Sequence, residues 1–419
     1  DSPIASDVKV VFASHGSLGD LVPFLEIGKV LRARSHRVVV ATHGTHAKAV
    51  TRAGLEHATM RPDRPGDAAF HRRFMRPWTG PRFVYKKFLT PAIADASADL
   101  SAAAGDADVL ISVTLALAAP LVAKRSGLVW RSCAFQPAML YSTIDPPSLP
   151  LIPMIKGKHA YNEYVLMSAR NGVEDWITPL RRFRSEAHLG TYADHPVFGG
   201  QHAPGGALAL YSPLFGALPS DAPSGTVQTG QVLQTGGGDL DPALLGWLEA
   251  GEAPIIFTLG SASAHAARRF FTQSAKFAAA LGVRALFLVG EPANLSGLPQ
   301  NGRARAFTAA PYQSVFPYAR LVVHQGGIGT IALALAAGKP MVLVPFAHDQ
   351  PDNSARAAAM GAAVVVPRAR YGVLGRRVIA KALADEAIAK AAAHAKLTIQ
   401  AERGAERAAD AIERAALTG

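Results

Sequence analysis

Seven consecutive residues, His324-Gln325-Gly326-Gly327-Ile328-Gly329-Thr330, carry the chemistry read most directly from this chain. Glycines let a backbone approach a ligand closely, and a helix starting behind them presents N–H groups and a partial positive charge. Thr330 can cap that helix and donate to a phosphate, and His324 stands at the end of the preceding apolar run. The pattern predicts a phosphate cradle. Further on come Asp349, Gln350 and Asn353. A carboxylate beside a carboxamide can bond adjacent hydroxyls in a fork, which suits a polyhydroxylated ligand; Asp349 could equally cap the helix that follows. A diphosphate cradle followed by a hydroxyl-reading pair points to a nucleotide-sugar.

The elements that must position these groups are legible around them. Residues 321–323 form a short buried-strand pattern, 331–337 are good helix formers closed off by Gly338 and Pro340, and 341–344 read as a second strand. Strand, glycine turn, helix and strand make a βαβ unit. The N-terminal half opens the same way. An apolar strand at 8–13 runs into Ser14-His15-Gly16-Ser17, then Leu18-Gly19-Asp20-Leu21-Val22-Pro23. Phe24, Ile27, Val30 and Leu31 follow at helical spacing before a strand at 36–42. Two Rossmann-like halves are therefore expected.

Within the N-terminal half, 60–90 is basic, Pro-rich and aromatic (Phe70, Phe74, Trp78, Phe83, Tyr85, Phe88) and reads as an irregular insertion. A strand at 109–113 resumes the rhythm, and 135–168 is again rich in large apolar groups, including Phe135, Met139, Tyr141 and Tyr161. Glycines at 236–238 mark a connector, and Asp241-Pro242 can start the next helix. Strands at 254–259, before Gly260-Ser261, and at 283–289 begin the second half, with a loop at 306–312; from 378 on the chain is Ala-rich and reads as an exposed helical end.

At 419 residues the chain suits two domains. Its 43 basic against 31 acidic residues, net +12, favour anionic ligands and leave peripheral contact with an anionic membrane open. The basic residues are scattered rather than clustered with aromatics, which argues against nucleic acid. A single cysteine, Cys133, fits a reducing compartment and reads as a packing residue. DSPIASD lacks the pattern of a signal peptide, and the longest apolar run, 109–123, is short for a membrane helix and contains Pro120. The expectation is a soluble, cytoplasmic protein, monomer or homodimer. No Cys/His cluster has zinc spacing, so neither a metal nor a resident cofactor is expected.

The run GGIGTIALALAAGKP with AHDQPDN resembles the donor-site signature of family-one glycosyltransferases of GT-B fold, and within them most resembles rhamnosyltransferases of rhamnolipid synthesis. The resemblance implies two Rossmann-like domains facing across a cleft: 1–234 for the acceptor, 235–395 for the UDP- or dTDP-sugar donor, and 396–419 as a helix returning to the first. It implies that His324, Gly326, Gly327, Gly329 and Thr330 hold the diphosphate and that Asp349 and Gln350 read the sugar. Gly16, Ser17 and Ser261 match further donor contacts. Asp20 occupies the place of the general base, three residues before Pro23, while His15 could serve as base, touch phosphate or orient the acceptor. The alternative for Asp20 is to cap the following helix. Loops of this half wall the acceptor pocket in the family, which here nominates Trp78, Phe83, Phe135, Met139, Tyr141 and Tyr161; plain core packing is the other reading.

Two departures stand out. Where relatives carry a base-stacking aromatic there is Ala309, with Phe307 and Tyr312 nearby, so uracil and thymine both remain open; and His348 replaces an aromatic. Asp239-Leu240-Asp241 spells the metal motif of a different glycosyltransferase fold, but it lies in the connector. The rival readings are a nicotinamide-dependent oxidoreductase, using Gly327, Gly329 and Ala332 with Asp349, and a non-catalytic partner of another transferase. The first leaves His324 and Gln350 unexplained; the second does not account for retaining both Asp20 and the whole donor signature.

Overall fold

The computed structural model describes residues 7–65, 68–77, 79–148, 153–191, 194–265 and 267–418. The chain divides into two units: Asp1–Gly66 with Trp78–Val232 and Arg403–Gly419, and Asp67–Pro77 with Leu233–Glu402.

The first unit is built on seven parallel strands: β1 (Lys9–Ser14), β2 (Arg37–Thr42), β3 (Glu56–Thr59), β4 (Val109–Val113), β5 (Val129–Ala134), β6 (Ala207–Ala209) and β7 (Val227–Gln228). Their order is β3-β2-β1-β4-β5-β6-β7, with Val10 beside Val38 on one side and Val109 on the other. All six residues of β1 are buried, as a parallel strand covered on both faces requires. The helix Leu18–Ala33 buries Leu21, Phe24, Ile27 and Leu31. Phe24 meets Phe12 at 4.7 Å and Phe135 at 5.6 Å. The C-terminal helix Gly404–Thr418 packs on Leu18–Ala33. Its buried Glu413 accepts from His36 Nε2 and Arg34 Nη1, each at 2.9 Å.

The second unit has six parallel strands: β8 (Ile255–Thr258), β9 (Ala285–Leu288), β10 (Ala304–Phe307), β11 (Leu321–His324), β12 (Met341–Leu343) and β13 (Ala363–Val365). Their order is β10-β9-β8-β11-β12-β13. In each sheet the chain order reverses once, between β1 and β4 and between β8 and β11. Open α/β sheets bind ligands at that point, beyond the C-terminal ends of the strands.

Several expectations are corrected. The described part of 60–90 carries helices where an irregular insertion was expected: Ala68–Phe74, Gly80–Arg82 and a π-helical Phe83–Leu89 lead into Ile93–Ala104. Val84, Tyr85 and Leu89 face inward, a spacing that suits i→i+5 winding better than an α-helix. Within it, residues 67–77 join the second unit, because Met75 enters that unit's core beside Phe74. The chain passes between units at Val232–Leu233 and again at Glu402–Arg403. Residues 306–312 are not one loop, since β10 reaches Phe307 and a helical turn begins at Tyr312. The Ala-rich end is packed, not exposed: Ile379, Ile388, Ala392 and Ile399 are buried, small side chains letting Glu386–Ala401 lie against Ile328–Ala336. Cys133 sits buried on β5, its thiol pKa raised by burial.

Candidate functional site

In the second unit β11 ends at His324, whose side chain is fully buried. The Gly326 N–H donates to its Nδ1 at 3.2 Å, so the neutral ring carries its proton on Nε2. That Nε2 is buried and has no partner among the described residues, and burial pushes the ring's pKa down to about 3. Gly326 takes φ +85°, and a Cβ there would lie 2.2 Å from Ser354 Oγ, so only glycine makes the turn without strain. Gly327 is the N-cap of the helix Ile328–Ala336, with no side chain capping it. The first intrahelical bond runs from Ile331 N–H to Gly327 O at 3.0 Å, and the N–H groups before it point out of the helix end. Thr330 is buried within the first turn rather than at the cap. A Cβ on exposed Gly329 would meet nothing within 4 Å. The result is an uncapped helix end beside a neutral, unsatisfied imidazole donor, a setting for an anion.

The chain leaving β12 turns at His348, φ +58°, into the helix Gln350–Ala359. Asp349 holds the N-cap position without a side-chain cap bond; its Oδ2 instead accepts from Asn353 Nδ2 at 2.5 Å. Asn353 is fully buried and its Oδ1 lacks a partner among the described residues. Gln350, expected to read hydroxyls, is committed to the fold. Its Oε1 accepts from Phe346 N–H at 2.8 Å and Ala347 N–H at 3.1 Å, and its Nε2 donates to Ser263 Oγ at 3.3 Å. Those two buried N–H groups need an acceptor that no strand supplies. Ser263 lies on Ser261–Ala264, the helical turn after β8 that Ser261 opens, so Gln350 ties the turns beyond β8 and β12 together. Tyr312 is likewise a strut. Its buried hydroxyl, pKa raised by that burial, donates to Thr258 Oγ1 at 2.6 Å, which donates to Leu288 O.

In the first unit Ser17 is the N-cap of Leu18–Ala33. The half-buried Asp20 folds back over it, Oδ2 accepting from Ser17 N–H at 2.6 Å and Ser17 Oγ at 2.9 Å. Oδ1 takes no hydrogen bond among the described residues. A Cβ on Gly16 would stand 2.3 Å from Asp20 Cβ, so glycine there is the condition for this fold-back. The Gly16 carbonyl accepts from His43 Nε2 at 3.2 Å and Arg64 Nη1 at 3.4 Å. Burial, then the neighbouring His46, push the pKa of His43 down to about 3; burial and Arg64 take His46 to about 4. His15, also lowered by burial, points away: its Nε2 donates to Arg61 O at 2.9 Å, and no hydrogen bond joins it to Asp20. The guanidinium of Arg64, desolvated but favoured by Asp20, is the charged member beneath this turn. Sequence reasoning missed His43, His46 and Arg64; the first two sit just past the end of β2, and their burial had no local signal.

The nominated acceptor residues that are described lie on several elements of the first unit. Phe135 and Met139 belong to the core around Phe24. Tyr141, φ +50°, packs against Phe198 at 4.9 Å, its hydroxyl pushed up to about 12 by burial. Tyr161 is exposed on the helix His159–Gly172, and Phe83 begins the π-helical stretch. Trp78 lies outside the described residues. Asp241 of the DxD triplet caps Pro242–Glu249, accepting from Ala243 and Leu244 N–H.

Residues 255–414 match the glycosyltransferase family 28 C-terminal domain. The chain is 30% identical to O-mycaminosyltylonolide 6-deoxyallosyltransferase of Streptomyces fradiae, over 97% of each. Among solved structures it is similar in fold to the spinosyn rhamnosyltransferase SpnG (TM-score 0.68, 21% identity, 95% of this chain and 98% of that one). It is also similar to glycosyltransferase VinC in complex with dTDP (TM-score 0.68, 19% identity, 98% and 100%). With two parallel α/β sheets, a glycosyltransferase C-terminal domain and a relative 30% identical over 97% of each chain, the chain belongs to the glycosyltransferases of GT-B fold.

Proposed function

We propose that this glycosyltransferase moves a hexose or deoxyhexose, glucose or rhamnose in type, from a UDP- or dTDP-sugar to a hydroxyl of a small hydrophobic acceptor, inverting the anomeric centre without a metal. The observation that carries the donor half is the buried, unsatisfied Nε2–H of His324 beside the uncapped helix end at Gly327. A leaving diphosphate gains charge as the glycosidic bond breaks, and preorganised donors of this kind stabilise it without reorganising. Asp349, oriented by Asn353, is assigned the sugar hydroxyls, with Gln350 shaping the turn that presents it. Asp20 is assigned the base: Ser17 fixes one carboxylate oxygen and leaves Oδ1 to accept the acceptor's proton. The acceptor oxygen then bonds to the anomeric carbon on the face opposite the departing diphosphate. His15 is the weaker candidate for that role, its Nε2 being engaged by Arg61 O. The names of the relatives, a 6-deoxyallosyltransferase and a spinosyn rhamnosyltransferase, favour a deoxyhexose and a secondary-metabolite acceptor.

A thermal-shift screen with UDP-glucose, dTDP-glucose and dTDP-rhamnose tests the donor half; a ligand at a hundredfold its dissociation constant stabilises by about 2.7 kcal/mol. Asp20→Asn is expected to cut transfer by about 10²–10⁴-fold, the usual worth of a general base, with nucleotide-sugar affinity held within severalfold. Full transfer by that variant removes Asp20 as base.

A further inference from the structure

The first unit's sequence gives up one short piece to the second: residues up to 66 and from 78 belong to the first, and 67–77 to the other. Its helix, Ala68–Phe74, is anchored by Met75, which is 3% exposed in the core that holds Phe257, Val323 and Val344. Two contacts then decide where it lies. His71 stacks on His265, rings 4.1 Å apart and within 7° of parallel, immediately after the turn that follows β8. Phe74 packs its ring 5.1 Å from His348, whose Nε2–H donates to the Phe74 carbonyl at 3.0 Å, in the turn that follows β12. β8 and β12 are the two strands that flank β11. One helix therefore spans the turns on either side of the glycine cradle, along the edge at which open α/β sheets bind ligands.

His348 holds φ +58°, a region that side-chain-bearing residues avoid and keep only where neighbours impose it. The carbonyl and ring of Phe74 are such neighbours, and Asp349 is the next residue along. What fixes His348 fixes the direction in which the Asp349 carboxylate leaves the turn.

We propose that residues 68–77 form the sugar-side wall of the donor site, with Phe74 and His348 as positioning residues that set how the activated sugar is held and therefore which one is accepted. This rests on the assignment of Asp349 to the sugar hydroxyls. Plain packing would need only Met75; it would not place two separate ring contacts on the two turns bordering the cradle.

The experiment compares binding of UDP-glucose, dTDP-glucose and dTDP-rhamnose with binding of UDP and dTDP alone, by calorimetry, in the wild type, Phe74→Ala, His348→Gly and Asp349→Ala. His348→Gly relieves the left-handed backbone while deleting the ring, so it keeps the question open to decision where Phe74→Ala fails to fold. Phe74→Ala and His348→Gly are each expected to lose at least fivefold of the affinity gained from the sugar, with UDP and dTDP affinities within twofold and the ranking of the three sugars altered. An unchanged sugar contribution in both, with Asp349→Ala still losing it, overturns the wall while leaving the donor site intact. An unchanged contribution in Asp349→Ala overturns the sugar assignment itself, and the wall with it.

Discussion

The turn after β1 and the turn after β11 begin from the same plan and end in opposite states. Each leaves a strand that borders the reversal point of its own sheet, each is rich in glycine, and each opens a helix. At the first, Asp20 folds back and takes both hydrogens of Ser17, so the helix start is already occupied by a carboxylate. At the second no acidic side chain lies within the first turn, and His324 keeps an unspent donor in the same place. A helix end that carries its own carboxylate repels a second anion; an uncapped one recruits it. Sequence similarity assigned Gly16 and Ser17 to the diphosphate, yet both hydrogens of Ser17 are spent on Asp20. In the proposed reaction one glycine turn would hold the base and the other the leaving group.

The most damaging change to that contrast is Gly16→Ala. The added Cβ, 2.3 Å from Asp20 Cβ, meets a side chain near its root and cannot be avoided by a rotamer change at its tip. Asp20 has to leave its place on Ser17. Transfer is expected to fall about as far as deletion of the base, roughly 10²–10⁴-fold in kcat, with nucleotide-sugar affinity within twofold. Unimpaired transfer would show that the fold-back is dispensable; a loss confined to donor affinity would make the first turn an anion site after all.

How much of this was legible beforehand follows from how local each cause is. Buried strands such as β1 and β11 announce themselves as unbroken apolar runs, and the glycines after them read as close backbone approach. Asp20 was legible as base or cap, and at the third helical position it closes a capping box on Ser17 through one oxygen. The structural bonds of Gln350 were not legible, because its partners, Phe346 and Ala347 N–H, become orphaned only once the turn is folded. The departure of 67–77 to the other unit rests on Met75 and Phe74, whose apolar character gives no hint of which core they enter. The π-helical stretch is the same kind of miss: Val84, Tyr85 and Leu89 are apolar at a spacing that strand and α-helix patterns both overlook.

Within the second turn, Gly326 and Gly329 separate folding from binding. Gly326 is left-handed and crowded by Ser354, so Gly326→Ala is expected to destabilise the protein by roughly 1–2 kcal/mol, read from the denaturant midpoint. Gly329 lies in the helix with open space at its missing Cβ. Gly329→Ala should leave stability unchanged or raise it by up to about 1 kcal/mol through helix propensity. Its methyl group would stand where the diphosphate approaches, lowering donor affinity about tenfold, or about 1.4 kcal/mol. If Gly329→Ala binds UDP- and dTDP-sugars as the wild type does, the open side of the helix is not the anion's seat.

The smallest effect concerns the protonation of His324. Burial holds its pKa at about 3, against an ordinary value of 6.5, so the ring is neutral across the range from pH 5 to pH 8 and offers a dipole, not a charge. The sign of the linkage follows. Unfolded, the ring binds a proton below 6.5 that the folded ring refuses until about 3, so its contribution to stability is complete above 6.5 and declines as pH falls through that window. Binding of UDP-glucose, whose diphosphate diester carries no titrating proton there, should for the same reason change less than twofold between pH 5 and pH 8. An affinity that climbs steeply as pH drops below 6.5, and loses that climb in His324→Gln, would mean that the ligand draws a proton onto the ring. The cradle would then work as an ion pair, and the contrast with the Asp20 turn would be one of charge against charge rather than of a capped against an open helix end.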